Sequence, residues 1–294
     1  MIRIKNLTKL YETNRGILDL SFEVADGEVF GCLGPKEAGK STIFAQLMGF
    51  EMPTRGWVTV NGKNCYDQRE EVQEIVGYLP QRPEFPKAMT VREFLRFQAS
   101  LRGIRSMERG FELAERLELN LEEKADRMTR SKKQRLGIAG ALLHDPRVIL
   151  MDEPTDGMDP RMRQRFVELI QEEKLKNKII LLSSRNFDAM ERVCDRIGMM
   201  KEGSMIHIGD ITSIRKEMRK NYIITFETEQ EAYRFVKEDV PIHAIYKSQV
   251  TVTVKGGLET LLRLLGGYHV VGFEETAQFI EEIFVHYYGG DFRA

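Results

Sequence analysis

Two periods of apolar spacing run through this chain. Unbroken apolar runs occur at Val29-Phe30-Gly31-Cys32-Leu33 and Val148-Ile149-Leu150-Met151, and runs so short and continuous read as strands buried on both faces. The same reading covers 75–79, which breaks at Pro80, then 178–183, and 197–200, which leads into a Lys201-Glu202-Gly203 turn. Alternation at 2–4 and 17–24, and a segment at 56–60 closed by Asn61-Gly62, predict further strands. The spacing turns helical at 41–48, 160–174 and 187–194, and from 90 to about 143 the pattern is helical and charged, with few turn signals after Gly110. Alternation of this kind argues a parallel α/β sheet with a helical insertion, here about 86–144.

The pattern pauses at 218–221 and resumes with a different rhythm. A strand at 222–227, a helix at 229–238, strands at 243–246 and 250–254, a helix at 258–265, a strand near 270 and a last helix at 277–288 predict a small α+β accessory domain. The expected division is therefore 1–217 and 221–294. The aromatic end of the tail, Phe284, Tyr287 and Tyr288, reads as core.

Composition narrows the class. A length of 294 residues suits one large α/β domain with a small appendage. A net charge of −1 with 30% charged residues sets up no global field, so no nucleic-acid partner is expected. The tail is the acidic part, with 6 Lys/Arg against 11 Asp/Glu from Asn221 onward. Cys32, Cys65 and Cys194 lie far apart without metal-ligand spacing, which fits a reducing cytosol rather than a disulfide framework. No apolar run approaches the roughly 20 residues of a membrane helix, and residues 1–5 alternate like a strand rather than a signal-peptide core. A membrane role is expected only through a partner.

The chemistry lies in two places. Gly34-Pro35-Lys36-Glu37-Ala38-Gly39-Lys40-Ser41 follows a strand and opens a helix. That order builds a phosphate cradle, because backbone N–H groups and the helix dipole at a helix N-terminus favour an anion. Gly34 and Gly39 let the chain wrap closely, Lys40 would reach the outer phosphates, and Ser41 would hold Mg²⁺. The second place is Asp152-Glu153, ending the buried strand 148–151 at the edge where ligands sit in open α/β sheets. Asp152 is placed to hold Mg²⁺ through water and Glu153 to orient or deprotonate an attacking water.

Over roughly residues 1–215 these features resemble the ATP-binding subunit of an ABC transporter. The resemblance implies a P-loop NTPase of the ABC type, with an antiparallel β portion beside the mainly parallel sheet. It implies ATP and Mg²⁺ as ligands, with Thr42 beside Ser41 in the phosphate site. Tyr11 matches the aromatic that stacks on adenine, Gln81 the glutamine that touches Mg²⁺ and the attacking water, and Asp156-Gly157-Met158-Asp159 the loop that crosses the interface between two such subunits. The partners implied are a transmembrane permease and a second ATP-binding subunit, as homodimer or heterodimer, on the cytoplasmic face of the membrane. The ending 279–289 resembles subunits that serve a separate export-type permease.

The chain departs from the family pattern in three places. Thr129-Arg130-Ser131-Lys132 stands where the signature Leu-Ser-Gly-Gly-Gln faces the partner's nucleotide, so two side chains replace two glycines. The basic cluster Arg127, Arg130, Lys132, Lys133 and Arg135 reads either as a phosphate attractor or as a solvated helix face. Ser183-Ser184-Arg185 puts arginine where the switch histidine belongs; it can contact the γ-phosphate but cannot accept a proton. Lys36-Glu37 brings a carboxylate to the phosphate loop, only partly neutralised by its neighbour. Together these departures predict ATP binding with slow hydrolysis; the alternative is a regulatory or scaffold subunit with little or no turnover.

Overall fold

A computed structural model of the chain describes residues 1–12, 15–217, 219–255 and 258–276. The chain divides into two compact units, Met1–Ile208 and Gly209–Ala294. In the first, β1 (Ile2–Leu10), β2 (Gly16–Val24), β3 (Val29–Leu33) and α1 (Lys40–Leu47) are followed by β4 (Arg55–Val60), β5 (Lys63–Asn64), α2 (Arg69–Ile75) and β6 (Val76–Leu79). Then come α3 (Val91–Leu101), α4 (Glu108–Arg116), α5 (Arg130–Leu142), β7 (Val148–Met151), α6 (Pro160–Leu175), β8 (Ile179–Ser184), α7 (Phe187–Glu191), β9 (Arg196–Lys201) and β10 (Ser204–Asp210).

Two sheets sandwich α1. The antiparallel sheet has the order β2-β1-β4-β5, and the six-stranded sheet β10-β9-β3-β8-β7-β6. Pairings among β9, β3, β8, β7 and β6 are all parallel. Parallel pairing buries both faces of a strand, and β3, β7 and β8 are buried at every position. One apolar core joins the sheets through Phe22, Phe30, Ile43, Phe44 and Leu150. Because β3, β8 and β7 run the same way, the loops that follow them emerge at one edge. That edge carries the site.

Several sequence expectations need correction. The helical stretch 90–143 is divided into α3, α4 and α5, with a break after Gly110 between Arg116 and Arg130 that the few turn signals there did not mark; Thr90 caps α3 through a capping box with Glu93 and Thr129 caps α5. The helix expected over 187–194 stops at Glu191, where Val193 and Cys194 turn back to the Met190 carbonyl. The sequence reading missed α2, whose seven residues bury only Val72 and so show little amphipathic signal, and β10, which is half-buried along most of its length.

The second unit carries α8 (Ile211–Glu217), β11 (Arg219–Phe226), α9 (Glu229–Phe235), β12 (Ile242–Tyr246), β13 (Gln249–Lys255), α10 (Glu259–Leu265) and β14 (Val270–Glu275). Its antiparallel sheet runs β12-β13-β11-β14 over a core of Tyr222, Ile224, Phe226, Phe235 and Val252. The pause expected at 218–221 gives way to β11, paired with β13 from Arg219 onward. The helix expected over 229–238 ends at Phe235, where Lys237 and Glu238 close a turn. The helix expected over 277–288 lies outside the described residues.

One buried ionic knot holds α6 to the parallel sheet. Glu173, 1% exposed, accepts from Arg109 at 2.9 Å, Lys176 at 2.8 Å and buried Lys178. Burial alone would raise its carboxyl, but these hydrogen bonds outweigh it and hold the group below its ordinary value. Removing one member strands buried charge. Glu173→Ala is therefore expected to destabilise the chain by about 3–5 kcal/mol in denaturant titrations, with much of the loss recovered by adding Lys178→Met. Since the folded value is depressed, this contribution is complete above the ordinary glutamate pKa and declines as pH falls below it, which a melting series from neutral to acid pH checks.

Candidate functional site

The phosphate loop is closed by its own lysine. Lys40 Nζ donates to the Gly34 carbonyl at 2.5 Å and the Pro35 carbonyl at 2.9 Å. Gly39 caps α1 at φ 96°, and no side chain caps that N-terminus. A Cβ on Gly39 would fall 2.9 Å from the Gly16 carbonyl oxygen, and one on Gly34 would fall 2.6 Å from that of Met200. The loop is thus packed against backbone on one side; the Thr42 N–H already donates to the Gly39 carbonyl at 3.1 Å, while the N–H groups of Lys40 and Ser41, which have no intrahelical acceptor, are left for an anion.

The acid pair is seated by the strand between. Ser183, at the end of β8, accepts from the Glu153 N–H at 2.9 Å and donates to Asp152 Oδ1. The Ser184 carbonyl accepts from the Gly34 N–H at 3.2 Å. Glu153 adopts a left-handed φ of 51°, a conformation kept in non-glycine residues only where the surroundings hold it. Gln134 of α5 secures its carbonyl at 3.1 Å.

These anchors bring Glu153 and Lys40 together. Nζ lies 3.3 Å from Oε1, with both side chains nearly buried. Burial opposes charge on each: the Lys40 amine is held below its ordinary value and the Glu153 carboxyl above its own, each pulled back toward its charged form by the other. Arg185 adds its backbone N–H on Glu153 Oε2 at 3.2 Å and its Nε 3.4 Å from Oε1. Its Nη2 donates to Asp156 Oδ2 at 3.1 Å, an oxygen that also accepts from Arg130.

An open cleft of about 500 Å³ gathers the predicted Tyr11, Lys36, Glu37, Ala38, Gly39, Lys40, Ser41, Thr42, Gln81, Glu153 and Arg185. Gly34 and Pro35 lie behind the loop and act through their carbonyls. Asp152, 2% exposed, sits beneath Glu153. Glu37 does not rely on Lys36, 3.9 Å away; Arg15 reaches it at 2.7 Å. Arg15, Gly16 and Arg82 also line the cleft, and no sequence pattern pointed to them.

The signature segment is used locally. Thr129 caps α5, Lys132 is paired with Glu123 at 2.7 Å, and Arg135 donates to the Leu117 carbonyl. Ser131 is half-buried on the first turn of α5, and Arg130 lines the cleft of its own chain. In the next loop Gly157 stands at φ 76° with open space beside it, Met158 is core, and Asp159 caps α6 through Met162 N–H at 2.9 Å.

The donor set fits magnesium and a nucleoside triphosphate. An uncapped helix N-terminus, a buried lysine and further cations suit the phosphates, the partly exposed ring of Tyr11 can take a base, and Ser41, Gln81 and Asp152 offer oxygen donors to a hard cation.

Comparison with known proteins agrees with this geometry. The family model described as "ABC transporter" matches residues 17–156. The chain is 30% identical to an uncharacterised ABC transporter ATP-binding protein, YxlF of Bacillus subtilis (strain 168), over 97% of the chain and 98% of that protein. It is 29% identical to the bacitracin transport ATP-binding protein BcrA of Bacillus licheniformis, over 99% and 98%. A solved structure of an ATP-binding subunit of an ABC transporter superposes with a TM-score of 0.68 at 29% identity, covering 73% of this chain and 92% of that one. With its phosphate loop and acid pair meeting at one sheet edge, the chain belongs to the ABC transporter ATP-binding proteins.

Proposed function

We propose that this ATP-binding subunit couples nucleotide binding, with only slow hydrolysis, to a separate membrane permease that exports its cargo, as a member of a dimer of such subunits. The observation that carries the slow turnover is the grip of Arg185 on Glu153. A general base must accept a proton from the attacking water, but this carboxylate is held by Arg185 through both a backbone N–H and a guanidinium. When Lys40 turns to phosphate, the Arg185 backbone N–H still holds the acid through Oε2. A switch imidazole could exchange a proton there; a guanidinium keeps its charge.

The nucleotide roles follow from the same cleft. Tyr11 stacks on the base, the loop 34–41 with Thr42 and Lys40 holds the phosphates, and Ser41, Gln81 and Asp152 hold magnesium, which supplies charge neutralisation when bound. The same network favours a second reading, a regulatory or scaffold subunit that binds ATP without turnover. The two differ only in whether any phosphate is released.

A groove supports the permease contact. Met48, Phe50, Tyr78, Phe85 and Phe94 line a concavity of about 300 Å³ between the loop around Gln81 and the helical insertion. Phe50 is 56% exposed, the kind of aromatic anchor that dominates interfaces. Export is favoured by the tail sequence at 279–289, and a permease partner by the match with the bacitracin transport protein along the whole chain. Among the described residues no helix is long and apolar enough to cross a membrane.

Two measurements test this reading. In the complex purified with its permease, ATP should bind, while phosphate release stays at roughly 0.1 per second or below, about a hundredfold under a typical enzyme turnover. Release at an ordinary rate, abolished by Glu153→Gln, overturns slow hydrolysis. Phe50→Glu should weaken co-purification with the permease about thirtyfold, the worth of a roughly 2 kcal/mol anchor, while leaving ATP affinity of the isolated chain unchanged.

A further inference from the structure

The helix whose N-terminus is expected to face a second subunit reaches into its own cleft. Arg130 is the first residue of α5, and Gln134 follows one turn later on the same helix face. Gln134, 1% exposed, donates to the Glu153 carbonyl at 3.1 Å and so seats that face against the loop after β7. The guanidinium of Arg130 is thereby delivered to Asp156 Oδ2. Arg185 donates to the same oxygen at 3.1 Å, and its Nε lies 3.4 Å from Glu153 Oε1, which Lys40 Nζ approaches at 3.3 Å. One ionic chain, Lys40–Glu153–Arg185–Asp156–Arg130, runs through a single subunit.

Its geometry suits an oxyanion. Glu153 Oε1 lies close to two cations yet is buried without a well-formed hydrogen bond. A phosphate oxygen carries comparable charge and accepts the same donors, so it can replace that carboxylate oxygen between Lys40 and Arg185. A guanidinium has five N–H donors, more than one shared carboxylate oxygen can accept, so Arg130 and Arg185 retain capacity for another anion. Both line the cleft that contains the phosphate loop.

We propose that Asp156 is a positioning residue that divides one oxygen between Arg130 and Arg185, and that the paired guanidinium groups make this subunit prefer nucleoside triphosphate over diphosphate in cis, without a signature segment from a second subunit. This rests on the nucleotide-binding reading above. Arg130 then does more than crowd a partner's site: it supplies to its own chain part of the charge that a trans contact would bring.

The test is Mg-ATP and Mg-ADP affinity of the full chain, measured at protein concentrations from below to above its self-association range. Arg130→Ala and Asp156→Asn should each weaken ATP about tenfold, the worth of roughly one charge-assisted hydrogen bond, while ADP stays within about twofold. Asp156→Glu should restore most of the ATP preference, and none of these effects should depend on protein concentration. ATP and ADP weakening together, or melting midpoints falling with the affinity ratio unmoved, would mark a merely structural bracket and overturn the proposal. So would an ATP loss seen only where the chain dimerises, which would place the arginine in trans. If Lys40→Ala leaves both nucleotides bound as tightly as in the parent chain, the nucleotide-binding reading itself falls, and the proposal with it.

Discussion

Two consecutive serines at the end of β8 hold the halves of the site together. In the order β3-β8-β7 the phosphate loop and the acid pair stand on strands that do not touch, roughly 10 Å apart at two strand spacings. Ser184 ties back the start of the phosphate loop through its carbonyl, and Ser183 takes the Glu153 N–H and gives its own proton to Asp152. Because β8 is buried at every position, these groups have no water to compete for them. The spacing between cradle and carboxylates is therefore set by the sheet rather than by the flexible loops that carry them.

Fixing that spacing has an electrostatic cost. Burial pushes Lys40 and Glu153 each toward its neutral form; each opposes that shift in the other, and Arg185 opposes it in Glu153 while adding to it in Lys40. A buried pair of this kind contributes little net stability, since desolvation offsets the attraction. What it offers is exchange, since an incoming anion could take the place of the carboxylate beside the lysine. The surface pair Arg15–Glu37 is different in kind: both groups are more than half exposed, and such pairs are worth at most about 1 kcal/mol. Its effect is on the local charge presented at the cleft mouth.

How much of this was legible depends on the reach of each interaction. The phosphate loop and the acid strand could be read because their function needs fixed residue types within eight and six consecutive positions, flanked by unmistakable apolar runs. The parallel sheet followed from the same runs, and so did most strands of the tail. Tyr11 and Gln81 entered through family resemblance, and both line the cleft. What could not be read was contact across long sequence separation. Arg130 looked like bulk replacing a glycine, because nothing local says that Gln134 will bond a carbonyl nineteen residues away and turn its neighbour toward Asp156. Arg15 was invisible for the same reason, and β10 because half-burial leaves no clean alternation.

The role of Gln134 has a wider consequence, because α5 serves two sites at once. Arg130 on its first turn lines the nucleotide cleft and Gln134 one turn later holds the Glu153 carbonyl, while its later turns line the apolar groove through Gly137, Gly140 and Ala141. A Cβ on Gly137 would lie 2.5 Å from Leu79 and one on Gly140 3.2 Å from Phe94, so the helix sits as close to the sheet and to α3 as its backbone allows. Thirteen residues of α-helix span about 20 Å and bend little over that length. A displacement imposed at the groove end would be carried along α5 to Gln134 against Glu153 and Arg130 against Asp156. A partner that displaced the groove end of α5 would therefore reach the charge network through one rigid element, by way of the Gln134 contact to Glu153 and the Arg130 contact to Asp156.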